Sequence, residues 1–200
     1  MNKQKAVPKR TIAFFDFDGT LVKGDSLWPF LFKAAGFWKI SYALLRAVFK
    51  QFKCPLGKDK RTYFKETLLF YALRGTDVDT LSEVAEHMKN WPVWIEETVQ
   101  ALHKHHEEGH RIVIASGSLD LYLWALLEAF PCDDIICTCM EREENKITGF
   151  MASGNCVRQR KAQKVAEYLS KHGPFEEVWA YGNAPHDLPM MEYAKTKVII

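Results

Sequence analysis

The sequence predicts an α/β fold: a doubly wound parallel sheet that carries an inserted, all-helical cap domain. Three observations support this prediction. Short apolar runs end abruptly in polar or small residues, amphipathic helical patterns separate these runs, and one long early segment shows helical patterns alone. With 200 residues and 48% hydrophobic content, the chain can bury one core, or a core and a small second module.

Four apolar runs are typical of buried parallel strands. The first covers residues 11–15 and ends in Asp16, and the others cover 111–115, 177–181 and 197–200. The first three runs end in small or polar residues and are followed by a helical pattern. Ligands of doubly wound sheets bind at the carboxyl ends of the strands, so we expect a site there.

Helical patterns fill the gaps between the later runs. They cover residues 119–130, 158–171 and 185–194, with apolar residues at helical spacing. Pro185 suits the first turn of the last pattern. These segments are predicted to be the crossover helices that cover the sheet.

Residues 23–96 contain no strand-like run and are predicted to form the helical cap. Successive helical patterns begin in this segment, and Gly75 and Pro92 separate some of them. The patterns cover residues 26–35, 37–52, 59–73, 77–90 and 92–106. Residues 1–22 and 97–200 would then form a discontinuous α/β core, with the insert placed as a lid over its ligand-binding edge.

Charge and composition limit the classes of partner. The net charge of +2 excludes a basic field of the size that binding to nucleic acid requires. The basic residues before residue 11 are interpreted as a solvated tail, because no apolar stretch of the signal-peptide type accompanies them. These residues are Lys3, Lys5, Lys9 and Arg10.

The cysteines and histidines indicate neither a disulfide framework nor a metal cage. The five cysteines lack C-x-x-C spacing and suit a reducing cytoplasm. Four histidines between residues 103 and 110 are interpreted as a solvated helix face. They are His103, His105, His106 and His110.

The most apolar stretch, residues 27–52, is not predicted to span a membrane. Pro29 and Gly36 interrupt it, and it carries four basic side chains. We therefore expect no transmembrane segment and a soluble protein. The basic side chains are Lys33, Lys39, Arg46 and Lys50.

Asp16 and Asp18 are the strongest candidates for chemistry. They stand two residues apart where the first apolar run gives way to Gly19 and Thr20. Two close carboxylates repel each other unless a cation lies between them, and Mg²⁺ prefers such oxygen ligands. Asp16 could attack phosphorus while Asp18 transfers a proton to the leaving oxygen. The alternative is a structural turn with an Asp–Gly signal.

The loops after the later strands add phosphate and metal ligands. Ser116 and the backbone amides of Gly117 and Ser118 are expected at a helix N-terminus, which favours an anion. Lys161, on the next crossover helix, can neutralise a phosphoryl oxygen. Residues 182–187 return amide and carboxylate oxygens to the same edge.

Taken in order, these motifs resemble the haloacid dehalogenase superfamily of phosphohydrolases. The motifs are DFDGT, a strand that ends in Ser116, Lys161, and the G-N-x-x-x-D pattern from Gly182 to Asp187. The helical insert resembles the C1-type cap of the phosphoserine-phosphatase-like branch, subfamily IB. Asn155 and Cys156, followed by Lys161, are also similar to that branch.

The resemblance implies a role for each matching residue. Asp16 is the nucleophile that becomes an aspartyl phosphate, and Asp18 is the general acid and base, whose carbonyl oxygen also binds magnesium. Ser116, Gly117 and Lys161 bind the phosphoryl group. Asn183 takes the position of a direct metal ligand, and Asp187 that of an outer carboxylate. These four metal-site residues are Asp16, Asp18, Asn183 and Asp187.

Asn183 departs from the family, which usually has Asp at this position. A neutral amide oxygen should bind magnesium more weakly than a carboxylate, and Asp187 could compensate directly or through water. Lys164 is a rival to Lys161 one helical turn later, but the spacing favours Lys161.

The substrate stays open between several phosphomonoesters. Asp25 stands where phosphoserine phosphatases hold the substrate's amino group, usually with Glu. The aromatic and basic residues of the insert resemble the cap of phosphatases that act on phosphatidylglycerophosphate, which would place the protein at a membrane surface. A phosphotransferase or phosphomutase could use the same intermediate, and a non-catalytic module with a decayed metal site is a further alternative.

Overall fold

The computed structural model describes residues 10–200. The predicted solvated tail, with Lys3, Lys5 and Lys9, therefore lies outside the described residues. Within them the strands are β1 (Thr11–Phe15), β2 (Arg111–Leu119), β3 (Asp134–Thr138), β4 (Met140–Glu143), β5 (Lys146–Met151), β6 (Glu177–Gly182) and β7 (Thr196–Ile199). The helices are α1 (Leu27–Gln51), α2 (Lys60–Leu73), α3 (Val78–Glu86), α4 (Glu96–Glu107), α5 (Asp120–Leu127), α6 (Arg158–His172) and α7 (Leu188–Met191).

Five parallel strands form the main sheet in the order β3-β2-β1-β6-β7, which confirms the predicted fold class. The first strand in the chain is the central one. Phe15, its last residue, pairs with Ile114 on one side and with Tyr181 on the other. Asp16 therefore leaves the sheet at the middle of its carboxyl edge, where a parallel sheet binds ligands.

Both faces of the sheet are buried, as the apolar runs predict. Ile12 and Phe14 lie in the apolar cluster with Val165 of α6, whereas Ala13 and Phe15 lie in the cluster with residues of α4 and α5. Successive side chains of a strand point to opposite faces, so each strand serves both layers. This packing fixes the strand ends that carry the candidate site.

The insert contains three helices between residues 27 and 86, and the first of them has a break inside it. Gly36 has φ 74° and ψ 163°, which divides α1 close to the predicted boundary between two helices. A glycine tolerates this positive φ without the clash that a Cβ atom brings. After the break α1 packs along α2, where Tyr42 and Tyr71 meet edge to face.

A small antiparallel sheet of β4 and β5, not predicted from the sequence, lies against the insert. Gly149 of β5 approaches the backbone of Phe70 in α2 so closely that a Cβ would lie 2.9 Å from its Cα atom. Gly75 also donates to the carbonyl oxygen of Ile147 at 2.8 Å. The helices of the insert thus pack against a hairpin from the second part of the core. The domain boundaries at residues 22 and 97 stay a prediction.

The chain enters and leaves the insert at one place. Lys23 N donates to Val93 O, and Ile95 N donates to Leu21 O, both at 2.8 Å. Val22 and Trp94 form an antiparallel bridge between these bonds. Two adjacent segments therefore connect the insert with the sheet.

Several predicted elements have other bounds in the structure. Helix α3 ends at Glu86 and α4 begins at Glu96, whereas the patterns predict helices over residues 77–90 and 92–106. Strand β2 continues to Leu119, so α5 begins at Asp120, beyond the serines of the motif. Helix α7 spans only Leu188–Met191, because residues 183–187 form a turn closed by Asp187 N and Asn183 O at 3.0 Å. Pro189, rather than Pro185, lies in its first turn.

The interpretation of the histidines as a solvated face is wrong for His105. Its side chain is buried, and Nε2 lies 3.0 Å from the hydroxyl of Tyr181. Its Nδ1 lies 2.7 Å from Nδ1 of His110. Only His103 and His106 are exposed among the four.

Among residues 10–200, no helix combines the length and the apolar character that crossing a bilayer requires.

Candidate active site

Asp16 lies at the floor of a cleft, directly after the central strand. Its backbone N–H donates to Tyr181 O at 2.9 Å, and its side chain is only 4% exposed. Oδ1 accepts a bond of 2.7 Å from Lys161 Nζ. Oδ2 accepts from Thr20 Oγ1 at 3.2 Å and from Asn183 Nδ2 at 3.4 Å. All three side chains donate hydrogen bonds to the Asp16 carboxylate, as an ionised carboxylate requires.

Lys161 joins Asp16 to a second buried carboxylate, Asp187. Its Nζ lies 2.5 Å from Asp187 Oδ1, and Asp187 is 2% exposed. Asp187 Oδ2 accepts the backbone N–H of Asn183 at 3.0 Å. Both oxygens of Asp187 are thus engaged. The carboxylate is held against Gly182, where a Cβ atom would lie 2.7 Å from that of Asp187.

The Asp18 carboxylate is held by two serines. Oδ1 accepts the backbone N–H of Ser26 at 2.8 Å, and Oδ2 accepts its hydroxyl at 3.0 Å. Oδ2 also accepts the hydroxyl of Ser118. Ser26 immediately precedes α1, so this carboxylate touches both the insert and the core.

Burial and neighbouring charges set the ionisation of these groups. Burial raises the pKa of Asp18 to about 6, although the bonds from Ser118 and Ser26 oppose this shift. Burial also raises the pKa of Asp16, while the Lys161 cation opposes it. Burial disfavours the charged form of Lys161, but attraction to Asp16 and Asp187 outweighs it and raises the pKa of the ammonium group.

The segment with Ser116, Gly117 and Ser118 lies at the cleft. It does not lie at a helix N-terminus, which corrects the sequence-based expectation. Ser116, Gly117 and Ser118 belong to the extended end of β2, two or more residues before α5. The N–H of Ser118 donates to Ser116 Oγ at 3.1 Å. Gly117 is required by space, because a Cβ atom there would lie 2.8 Å from Val157 Cγ1.

These groups line one cavity of about 330 Å³. Its size suits a small ligand. The lining residues are Asp16, Asp18, Asp25, Leu27, Asp59, Arg61, Lys65, Ser116, Gly117, Ser118, Asn155, Val157, Arg158, Lys161, Asn183, His186 and Asp187. A larger cavity of about 530 Å³ lies between α3 and α5, but it lacks the strand-end residues and we assign no chemistry to it.

Oxygen atoms converge around the side-chain amide of Asn183. Its Nδ2 lies 3.4 Å from Asp16 Oδ2 and 3.2 Å from the carbonyl oxygen of Asp18. A half-turn of the amide would present Oδ1 to the same point, because the two ends of this group have nearly the same shape. Carboxylate, carbonyl and amide oxygens are the donors that hard divalent cations take, so the residues fit such an ion.

Comparison with known proteins assigns a family to this arrangement. The family model for haloacid dehalogenase-like hydrolases matches residues 13–192. The chain belongs to this family. The predicted resemblance is thereby confirmed at the level of the family.

Relatives of this chain include a probable phosphatase of Mycobacterium tuberculosis, 29% identical over 191 residues. The match covers 92% of this chain and 66% of that relative, so the chain spans slightly less than two thirds of its length. A protein of unknown function from Bordetella pertussis Tohama I has a TM-score of 0.77 at 20% identity, over 96% of this chain and 90% of that one. A phosphoserine phosphatase, solved as an analogue of its phospho-aspartyl intermediate, has a TM-score of 0.62 at 16% identity, over 96% and 87%. At these identities the solved structures show the fold.

Lys65 of the insert lines the candidate site and was not predicted from the sequence. It extends from α2 into the cavity, where Nζ donates to Gly117 O at 2.7 Å and to Asn155 Oδ1 at 3.2 Å. Burial lowers the pKa of Lys65 to about 8, although Asp25 and Asp18 attract its charge. Helical periodicity places this residue on α2 but says nothing about the loops that α2 covers.

The other candidates divide between the cavity and its surroundings. Asp25 lies at the exposed rim, where Oδ1 accepts the N–H of Leu27 at 2.9 Å. His186, in the turn after β6, also lines the cavity, and it is interpreted from the sequence as a loop residue. Lys164, the rival of Lys161, points elsewhere and donates to Cys137 O at 3.0 Å and to Ser153 Oγ at 2.8 Å.

Proposed function

We propose that the protein is a magnesium-dependent phosphomonoester phosphatase that forms an aspartyl phosphate on Asp16. The observation that carries the proposal is the contact of the buried Asp16 carboxylate with Lys161 at the floor of the cavity. A carboxylate held ionised among donors can attack phosphorus, and the adjacent cation reduces its repulsion from the phosphoryl oxygens. The probable phosphatase among the relatives supports this class of reaction.

Asp18 would move the proton in both halves of the reaction. In the first half, a bond forms between an Asp16 oxygen and phosphorus while the bond from phosphorus to the leaving oxygen breaks. Asp18, with a pKa of about 6, gives its proton to that oxygen. In the second half, Asp18 takes a proton from water as the water oxygen attacks phosphorus and releases Asp16.

Ser116, Gly117 and Lys161 would bind the phosphoryl oxygens. Ser116, on the neighbouring strand β2, and Lys161, on α6, are both buried and line the cavity. Asp187 positions Lys161 through its contact of 2.5 Å. These residues orient the phosphoryl group and lower the energy of its developing charge.

The magnesium ion would be held by Asp16 Oδ2, the carbonyl oxygen of Asp18 and Asn183 Oδ1. When bound, it supplies Lewis-acid stabilisation of the phosphoryl charge. Asp187 is proposed as the outer carboxylate, because Lys161 and the Asn183 N–H already engage its two oxygens.

The substrate class is a small phosphomonoester, with two narrower candidates. Asp25, at the cavity rim, would hold the amino group of phosphoserine. Exposed aromatic residues of the insert favour a lipid phosphate at a membrane surface. A phosphotransferase would form the same aspartyl phosphate on Asp16 but transfer its phosphoryl group to a second substrate instead of water.

A turnover assay with a generic aryl phosphate and Mg²⁺ tests the proposal. We expect hydrolysis by the wild type, loss of it in EDTA, and no detectable hydrolysis by Asp16→Asn. Asp79→Asn, a remote exchange on α3, serves as the matched control and keeps full activity. Mass spectrometry of acid-quenched samples should find a phosphoryl group on the peptide that contains Asp16. An inactive wild type, which the non-catalytic alternative requires, or undiminished activity of Asp16→Asn would refute the assignment.

A further inference from the structure

Exposed apolar side chains lie along one face of the second half of α1. Trp38, Tyr42, Leu45 and Phe49 recur at alternating spacings of four and three residues. Since a helix turns by about 100° per residue, these four lie within an arc of about 60°. Each is more than half exposed, and Trp38 is 84% exposed. This is a continuous face, unlike the scattered exposed apolar residues of an ordinary surface.

The opposite side of the same helix is already buried. Ile40, Ala43 and Ala47 have no exposed surface and belong to the main apolar cluster. The helix is therefore apolar on two sides, and within the described residues only one of them is covered. Packing of the insert accounts for the buried side alone.

Two further exposed apolar residues follow the end of α1. Phe52 is 87% exposed, and Leu56, in the connection to α2, is fully exposed. We call the set of Trp38, Tyr42, Leu45, Phe49, Phe52 and Leu56 the apolar stripe.

Positive charges flank the apolar stripe along one side. Helix α1 contains four basic residues and neither Asp nor Glu. Lys39, Arg46 and Lys50 lie within an arc of about 40°, centred about 90° from the middle of the stripe. Arg46 donates to the Tyr71 hydroxyl at 3.1 Å, which fixes its position on this flank. An aromatic face with cations beside it has the composition of a helix that lies in the interface of an anionic bilayer.

The stripe ends close to the mouth of the candidate active site. Three residues after Leu56, Asp59 lines the cavity, and Arg61 follows it there. Three residues span at most about 11 Å. Helix α1 begins at Leu27, which also lines the cavity. A surface that covers the stripe would therefore lie beside the opening.

We propose that the apolar stripe docks on a bilayer that contains anionic phospholipid. The aromatic side chains enter the boundary between headgroups and acyl chains, and the basic flank contacts the phosphate groups. A second copy of the chain fits less well, because a self-complementary contact would place the positive flanks near each other with no acidic residue on α1 to offset them. The proposal goes beyond the phosphatase function and does not depend on it.

Co-sedimentation with vesicles tests the apolar part of the proposal. We expect the wild type to bind vesicles that contain phosphatidylglycerol and to bind pure phosphatidylcholine vesicles at least about tenfold less tightly. The double variant Trp38→Ser with Phe49→Ser should lose about tenfold or more in affinity for the anionic vesicles. Trp124→Ser, at an exposed position of α5, is the matched control and should bind like the wild type.

A charge variant tests the basic flank. Lys39→Glu with Lys50→Glu changes two side chains of the flank and should reduce binding by about tenfold or more, whereas Lys171→Glu, on α6, should not. Raised salt should weaken wild-type binding in the same direction. Equal binding to both kinds of vesicle, or binding unchanged in the double variant, would overturn the proposal. So would a wild-type dimer in light scattering that the double variant converts to a monomer, because the stripe would then be covered by a second copy.

Discussion

Lys65 of the insert donates a hydrogen bond to the backbone carbonyl of Gly117 in the core, with Nζ 2.7 Å from the oxygen. The two residues are 52 positions apart in the chain. The contact places a cation of the insert next to the end of β2, where we propose that Ser116 and Gly117 bind phosphate. The same side chain therefore joins the insert to the core and contributes positive charge to the cavity.

We predict that Lys65→Gln raises the KM for an aryl phosphate by about tenfold, because an anionic substrate loses one charge-assisted contact. The pKa of Lys65 is about 8, so the wild-type KM should rise as pH increases through 8 and the ammonium group loses its proton. The variant should lack this rise. Initial rates between pH 7 and 9 measure both effects.

Lys60→Gln, at an exposed position of the same helix, is the control for the Lys65 exchange and should keep the wild-type pH profile. A wild-type KM that stays flat across pH 8 would show that Lys65 has no contact with the substrate.

The exchange Asn183→Asp should have opposite effects with and without magnesium. It adds a carboxylate next to Asp16 Oδ2 and removes the amide donor found there. Without the ion, repulsion should lower the melting temperature. With it, the activation constant for Mg²⁺ should fall by about tenfold, because an anionic oxygen replaces a neutral one.

Thermal unfolding in EDTA and a magnesium titration of turnover measure these two effects of Asn183→Asp. Asn90→Asp, at an exposed and remote position, should change neither. If the magnesium requirement of Asn183→Asp equalled that of the wild type, Asn183 would not be a metal ligand.

Gly182→Ala should damage the site without changing any charge. The new Cβ atom would lie 2.7 Å from Asp187 Cβ and 2.8 Å from Oδ2, so Asp187 must move. We expect a loss of about 1–3 kcal/mol in the free energy of unfolding. Turnover should fall by about a hundredfold as Lys161 loses its positioning partner. A variant with wild-type kcat would argue against the role of Asp187.

His105 should make the stability depend on pH. Burial, together with the nearby His110, lowers the pKa of His105 from 6.5 to about 4. Above pH 6.5 the residue is neutral in both states. Between pH 6.5 and 4 only the unfolded chain takes up the proton, so the free energy of unfolding falls as pH decreases, by at most about 1.4 kcal/mol per pH unit for this one group.

His105→Gln should remove this part of the slope, as urea unfolding at pH 7, 6 and 5 would show. His106→Gln changes an exposed histidine one position later and should leave the slope as it is. Identical slopes in the wild type and His105→Gln would mean that His105 takes up its proton in the folded state as well.

The elements that the sequence predicted best are those whose own residues show the apolar pattern of a strand or a helix. β1 has the predicted bounds, and α6 ends one residue later than predicted, because both carry apolar residues at the period of their own structure. The hairpin of β4 and β5 has a charged sequence, and its position depends on the approach of Gly149 to Phe70, which lies 79 residues earlier. No local pattern encodes that contact.

The candidate site shows the same division. Asp16, Lys161 and Asp187 stand at strand or helix ends that motifs identify, and the structure brings them into contact. The contacts of Lys65 depend on how α2 packs over the core. The orientation of Asp18 toward Ser26 likewise follows from where α1 begins, which only the folded insert determines.

The paired segments at residues 21–23 and 93–95 have a consequence for variation in this fold. Lys23 bonds to Val93, and Ile95 bonds to Leu21. These bonds hold together the two points at which the chain leaves the core and returns to it. For the sheet, everything between the two segments is one long loop, and the entropy of closing a loop grows only slowly with its length. Inserts of other lengths could therefore occupy this position while the central strand and Asp16 stay where they are.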